Sequence, residues 1–150
     1  MQRVMDLMTR DVFAVSPDTS LETAARMLAQ RRISGAPVIA NGRVVGVISS
    51  SDLVDPDTDV SGIRGFPLYY RVTDGLAEEI GDHERVRPGR VSEVMTSSVI
   101  SISGDATAVQ ASAKMLELGV HRLLVVKGDE ELAGVVSTID LLRAFVRMHE

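Results

Sequence analysis

Two short stretches of this 150-residue chain place a hydroxyl three residues ahead of a carboxylate: Ser49-Ser50-Ser51-Asp52 and Ser137-Thr138-Ile139-Asp140. An ionised Asp is acceptor-only with two oxygens, so one side chain can take a pair of adjacent hydroxyl donors from a ligand. If a helix follows, its first amides face the same space and favour anions. The spacing is also close to a helix capping box, in which Ser caps the third amide and an acidic side chain reaches back. Glu or Gln is usual at that third position and Asp is shorter, so capping, ligand contact or both stay open. His121-Arg122 adds two donors, one a planar guanidinium fork; the plain alternative for the pair is a solvated edge.

Other chemistries find no support. The chain has no GxxxxGK[ST] loop, no GxGxxG after a strand, no GxSxG elbow and no HExxH. His83, His121 and His149 lack metal-ligand spacing, and zero Cys removes thiolate sites and thiol nucleophiles. Glu78-Glu79 reads as a wet surface, and Asp55, Asp57 and Asp59 lack the Gly and closing Glu of a calcium loop. The expectation is no enzyme and no metal. A net charge of −5 and an aromatic content of 3% argue against nucleic acid as a partner. No apolar run reaches the roughly 20 residues of a membrane span, and MQRVMDLMTR lacks the apolar core of a secretory signal, so a cytoplasmic protein without membrane contact is expected.

The elements that must position these residues occur twice. Asp6-Leu7-Met8-Thr9 returns as Glu93-Val94-Met95-Thr96, an offset of 95 − 8 = 87, and Gly46 to Asp52 returns as Gly134 to Asp140, an offset of 140 − 52 = 88. Each copy reads as a β-rich stretch (Val12 to Val15; Val99 to Ile102), then a helix with an apolar stripe (Leu21, Ala24, Ala25, Leu28; Ala108, Ala111, Met115, Leu118). Two strands follow, joined by Asn41-Gly42 in copy one and by Gly128-Asp129-Glu130 in copy two, and a last helix opens at Ser49 or Ser137. The fold class is α/β (α+β): two β-α-β-β-α repeats expected to pack sheet to sheet with pseudo-twofold symmetry, since one copy alone buries too little apolar surface. Boundaries fall at 1–54 for repeat one, 55–90 for an insertion and 91–150 for repeat two. The insertion holds Phe66-Pro67-Leu68-Tyr69-Tyr70 and a candidate short helix from Asp74 to Ile80, and reads as a flap, a dimer contact, a lid or a partner patch.

Both copies resemble the cystathionine-β-synthase (CBS) domain, and the tandem resembles a stand-alone CBS pair, or Bateman module. The signals are the Met-Thr dipeptides at 8–9 and 95–96, ISGAPVI (33–39), VHRLLVV (120–126), and the endings GVISSSD and GVVSTID. The resemblance covers everything except the insertion. It implies a non-catalytic regulatory module for adenosine-bearing ligands: AMP, ADP or ATP most often, S-adenosylmethionine or NAD(H) in some members, bound in clefts between the copies. The family's ribose-binding acid matches Asp52 and Asp140, and its hydroxyl residue matches Ser49 and Ser137, with Ser51 and Thr138 close by. The base is implied near Phe13, Ala14 and Val15 or Ile100, Ser101 and Ile102, and the phosphates near His121 and Arg122.

Copy one carries Ser34-Gly35 where copy two has His121-Arg122, so the two clefts are expected to differ. On the family pattern Asp52 with His121 and Arg122 makes the stronger phosphate site. The resemblance also implies a homodimer through the helices and an effector protein that reads occupancy. The competing reading is an interaction module whose clefts are vestigial and whose insertion is the working surface.

Overall fold

The computed structural model describes residues 2–54 and 86–150, together with the backbone of 70–73 and 76–79. The chain forms two compact units that do not follow the sequence repeats. Among described residues the first comprises 2–13, 41–44 and 99–150, and the second 14–40, 45–54 and 86–98 plus the two short strands. Each unit therefore joins the leading segment of one repeat to the body of the other.

In the first unit α1 (Val4–Leu7) precedes β5 (Ser101–Ser103), α4 (Ala108–Leu118), β6 (Arg122–Lys127), β7 (Glu131–Ser137) and α5 (Thr138–Met148). Strand β5 runs parallel to β6, pairing Ser101 with Leu124 and Ser103 with Val126; β6 runs antiparallel to β7 from Arg122↔Ser137 to Lys127↔Glu131. Arg43, at the start of β2 (Arg43–Ser49), pairs with Glu131. Val4, Ala111, Met115, Leu123, Val125 and Val136 form the core, so the predicted stripe of α4 faces inward through Ala111 and Met115 while Leu118 stays exposed. Thr107 caps α4 with Gln110 in a reciprocal box, and Gly119 closes it in the left-handed region (φ 66°).

The second unit holds α2 (Leu21–Arg31), β1 (Gly35–Ala40), the rest of β2, a 3₁₀ turn (Ser50–Leu53) and α3 (Val91–Val94). The stripe Leu21, Ala24, Ala25 and Leu28 is fully buried with Val15, Val38, Ile48, Leu53 and Val91. Asn41 and Gly42 both take positive φ, as the tight hairpin requires.

The leading segments dock by matching bonds. In the first unit the Val4 amide donates to Ala106 O (2.8 Å) and Met5 to Gly104 O (3.0 Å); in the second, Val91 donates to Thr19 O (2.9 Å) and Ser92 to Pro17 O (3.0 Å). Thr9 exchanges two backbone bonds with Val135, and Thr96 does the same with Val47. Gly134 and Gly46 make this possible: a Cβ on Gly134 would lie 2.5 Å from Thr9 O, and one on Gly46 2.9 Å from Thr96 O and Met95 Sδ. The repeated Met-Thr dipeptides thus seat a strand-like segment on a glycine of the other repeat's body.

The α/β class and the order of elements hold in both repeats, with two reductions in copy one. The predicted strand 12–15 shrinks to a single parallel bridge, Val15↔Val38. In copy two the ladder continues because the Leu124 amide donates to Ile100 O; Pro37 occupies the matching position and has no N–H to give. The last helix of copy one is only the 3₁₀ turn. The helix expected at 74–80 is corrected: Tyr70–Thr73 and Leu76–Glu79 are antiparallel strands β3 and β4. The sequence signal underweighted there is Asp74-Gly75 after Tyr-Arg-Val-Thr, a hairpin pattern. Phe66–Tyr69 and the acidic run 55–59 lie outside the described residues.

Candidate functional site

The last residue of β7 is the N-cap of α5. Ser137 has extended backbone (φ −116°, ψ 165°), and its Oγ accepts from the Asp140 amide at 3.2 Å. Asp140 Oδ2 in return accepts from the Ser137 amide (2.8 Å) and from Ser137 Oγ (3.0 Å). The capping reading is therefore correct as geometry, and Asp reaches the amide despite its length. Asp140 Oδ1 lies 3.8 Å from Arg143 Nη1; the Asp140 side chain is 14% exposed, so this carboxylate is held in one orientation at a partly open corner.

Thr138 is committed elsewhere. Its amide and Oγ1 both donate to the His121 carbonyl (2.9 and 3.2 Å), which ties the start of α5 to the start of β6. That tie places His121 and Arg122, both exposed, at the same end of the ladder as Ser137, since Arg122 and Ser137 are register partners. Ile100, which accepts from the Leu124 amide, is beside them and 39% exposed. Ser137, Asp140, His121, Arg122 and Ile100 are brought together.

Ser101 and Ile102 are not wholly part of that corner. They follow Ile100 along β5 and line a cavity of about 770 Å³ that opens toward the far end of the ladder, beside Val126, Lys127 and Leu132.

The second unit repeats the two bonds to Asp Oδ2 but not the bond from the Asp amide to Ser Oγ. Ser49 N and Oγ donate to Asp52 Oδ2 at 2.8 and 3.0 Å, and Ser49 Oγ also lies 2.8 Å from Ser51 Oγ. Ala14 and Val15 belong to this unit, whereas Phe13 falls in the first. Ser50 was missed by motif reading: it is buried (6% exposed), and its amide and Oγ donate to Ser34 O at 2.8 and 3.0 Å. The repeat offset of 88 identifies it as the counterpart of Thr138, with Ser51 matching Ile139. Gly35, where copy two has Arg122, is explained by approach: a Cβ there would lie 2.8 Å from Ile48 O.

The CBS domain family profile matches residues 4–59 and 91–147, the two repeats in sequence. The chain belongs to the CBS domain family. Among its relatives, protein MJ1426 of Methanocaldococcus jannaschii is 30% identical over 153 residues, covering 95% of this chain and 90% of that one. Protein MJ1232 of the same organism is 28% identical over 94% of this chain, which spans only 38% of it. Inosine-5'-monophosphate dehydrogenase of Korarchaeum cryptofilum is 26% identical over 93% of this chain, which spans 24% of that enzyme. Two solved CBS pairs share the fold: CBSX2 in complex with AMP (TM-score 0.70, 23% identity, all of both chains) and the CBS domain pair of MJ0100 in complex with 5'-methylthioadenosine and S-adenosyl-L-methionine (TM-score 0.65, 19% identity, 99% and 98%). CBSX2 is a protein of Arabidopsis thaliana. Among the described residues no helix is long and apolar enough to cross a membrane.

Proposed function

We propose that this CBS pair is a regulatory module that binds an adenosine-bearing ligand and has no catalysis of its own. The observation that carries the reading is the duplicated Ser-x-x-Asp box. Each box fixes a carboxylate by bonding Oδ2 to its own Ser and leaves Oδ1 outside those bonds; in copy two Oδ1 lies 3.8 Å from the exposed Arg143 guanidinium. A carboxylate so pre-organised suits the two adjacent hydroxyls of a ribose. Asp52 and Asp140 are assigned to ribose, Ser49, Ser51 and Ser137 to ribose or phosphate, and Phe13 to Val15 and Ile100 to Ile102 to the base. His121 and Arg122 are exposed donors for phosphate oxygens. Thr138 acts through the His121 carbonyl it holds. AMP, ADP or ATP is the first ligand class, supported by the AMP complex of CBSX2; S-adenosylmethionine is the second, supported by the MJ0100 complex. NAD(H) stays in the panel.

Binding regulates if the ligand prefers one arrangement of the protein over another. Self-association as a homodimer belongs to this reading. The exposed apolar stripe Ile139, Leu142, Phe145 and Val146 on α5 supports it, and α4 adds exposed Val109, Leu116 and Leu118. A cytoplasmic setting and a protein effector complete the proposal.

A thermal-shift panel of AMP, ADP, ATP, S-adenosylmethionine and NADH tests it. A ligand at 100 times its Kd stabilises by about 2.7 kcal/mol. Asp52→Asn and Asp140→Asn keep the box geometry while removing the charge, and at least one of them abolishes the shift. A competing reading is favoured by the completeness of the boxes themselves: Ser and Asp there serve only as caps. It wins if no ligand moves the melt.

A further inference from the structure

We propose that the cavity of the first unit is a second site, for a small organic anion with an apolar body, and that only this unit carries it. The cavity lining includes apolar Met5, Met8, Ile102, Val126 and Leu132 and three cations, Arg10, Lys114 and Lys127. At about 770 Å³ it falls within the usual 300–1,000 Å³ of small-molecule sites. It lies at the Lys127↔Glu131 end of the β6–β7 ladder, five residues or roughly 17 Å from the Arg122↔Ser137 end that holds the Asp140 box. Of the residues assigned to the nucleotide it shares Ser101 and Ile102 and no others.

The charges argue for an anion. Half-buried Lys114 donates to the Ser101 carbonyl, and Arg10 donates to Met5 O at 3.0 Å. Both hold neutral carbonyls, and among the described residues neither has an ion pair. Lys127 has only an exposed partner, Glu131 at 3.8 Å, an arrangement worth little in water. Asp105 is the single carboxylate on the wall and is exposed, so the wall is net positive in a chain of net charge −5. A carboxylate or phosphate would give these cations an ionised acceptor in place of carbonyl dipoles, adding Coulomb attraction to bonds whose donor is already charged.

The duplication supplies the control. At the offset of 87 the second unit has Ser97 for Arg10, Met27 for Lys114 and Ala40 for Lys127. Its frame keeps the docking bonds of the leading segment, Met95 for Met8 and the acid at Asp18 for Asp105, with Ser92 in place of Met5. The fold therefore has no need of these three cations, and all three converge on one cavity.

Phenyl phosphate, with a phosphate head and an apolar ring, is the probe. In protein labelled at the methionine methyls, its addition over the millimolar range should shift Met5 and Met8 saturably and leave Met27 and Met95 of the second unit in place. Arg10→Ser with Lys114→Met and Lys127→Ala imports the second unit's own residues, and it should weaken the response at least about tenfold. Lys114→Arg alone should keep it, and benzyl alcohol, uncharged, should not reproduce it. Equal binding to the triple variant, an equal response to benzyl alcohol, equal shifts at Met27 and Met95, or no saturable shift at all would overturn the proposal. A thermal melt of the triple variant within a few degrees of the parent confirms that lost binding is not lost folding.

Discussion

The two units share hydrogen bonds almost one for one yet differ where a ligand's charge would be read. Both seat a Met-Thr segment on a glycine, both close a Ser-x-x-Asp box on Oδ2, and both tie the start of the last helix or turn to a carbonyl at the start of a strand. The differences are Arg122 against Gly35, His121 against Ser34, and the trio Arg10, Lys114 and Lys127 against Ser97, Met27 and Ala40. Bonds that recur in both units are what the fold requires. Cations confined to one unit are free to be about ligands.

Four perturbations test that division, beginning with the largest expected effect. Gly134→Ala forces a Cβ to 2.5 Å from Thr9 O and should cost about 2–3 kcal/mol, more than Gly46→Ala, whose Cβ would meet Thr96 O at 2.9 Å. Chemical denaturation of both variants ranks them, and equal costs would show that the docked segments are not held as described. Ser137→Ala removes the cap of the eleven-residue α5 and should cost about 1 kcal/mol, while Ser49→Ala, serving a four-residue turn, should cost less than half of that. Arg32→Gly relieves a non-glycine residue at φ 57° where copy two already has Gly119, and should raise stability by about 0.5–1 kcal/mol. Smallest of all, Pro37→Leu restores the amide that copy two has at Leu124; the melt should barely move, while hydrogen exchange should find the new amide protected.

Much of this was legible in the chain. The offsets of 87 and 88 revealed the duplication, and the apolar stripe of α2, with Ala111 and Met115 of α4, marked buried faces, because burial imposes a helical period on residue choice. The Ser-x-x-Asp motif was legible too, in both its meanings, since capping and ligand contact use the same lone pairs. What could not be read was the exchange of leading segments, because nothing local states which body a segment docks on; only the glycines at 46 and 134 hint that a backbone passes close. The cavity was hidden for the same reason: Arg10, Lys114 and Lys127 are far apart in sequence and converge only through that docking. Pro37 was legible in principle, since it brings no amide donor to the strand it sits in.

The most direct test of the central claim is a titration of the isotopically labelled protein with AMP, following the backbone amides of Ser49 and Ser137. Both donate to the carboxylate assigned to ribose, so any ligand that engages Asp52 or Asp140 must perturb the amide bonded to it. The account predicts a saturable shift at one or both amides that disappears in the corresponding Asp→Asn variant. Binding of AMP with both amides unmoved would contradict it.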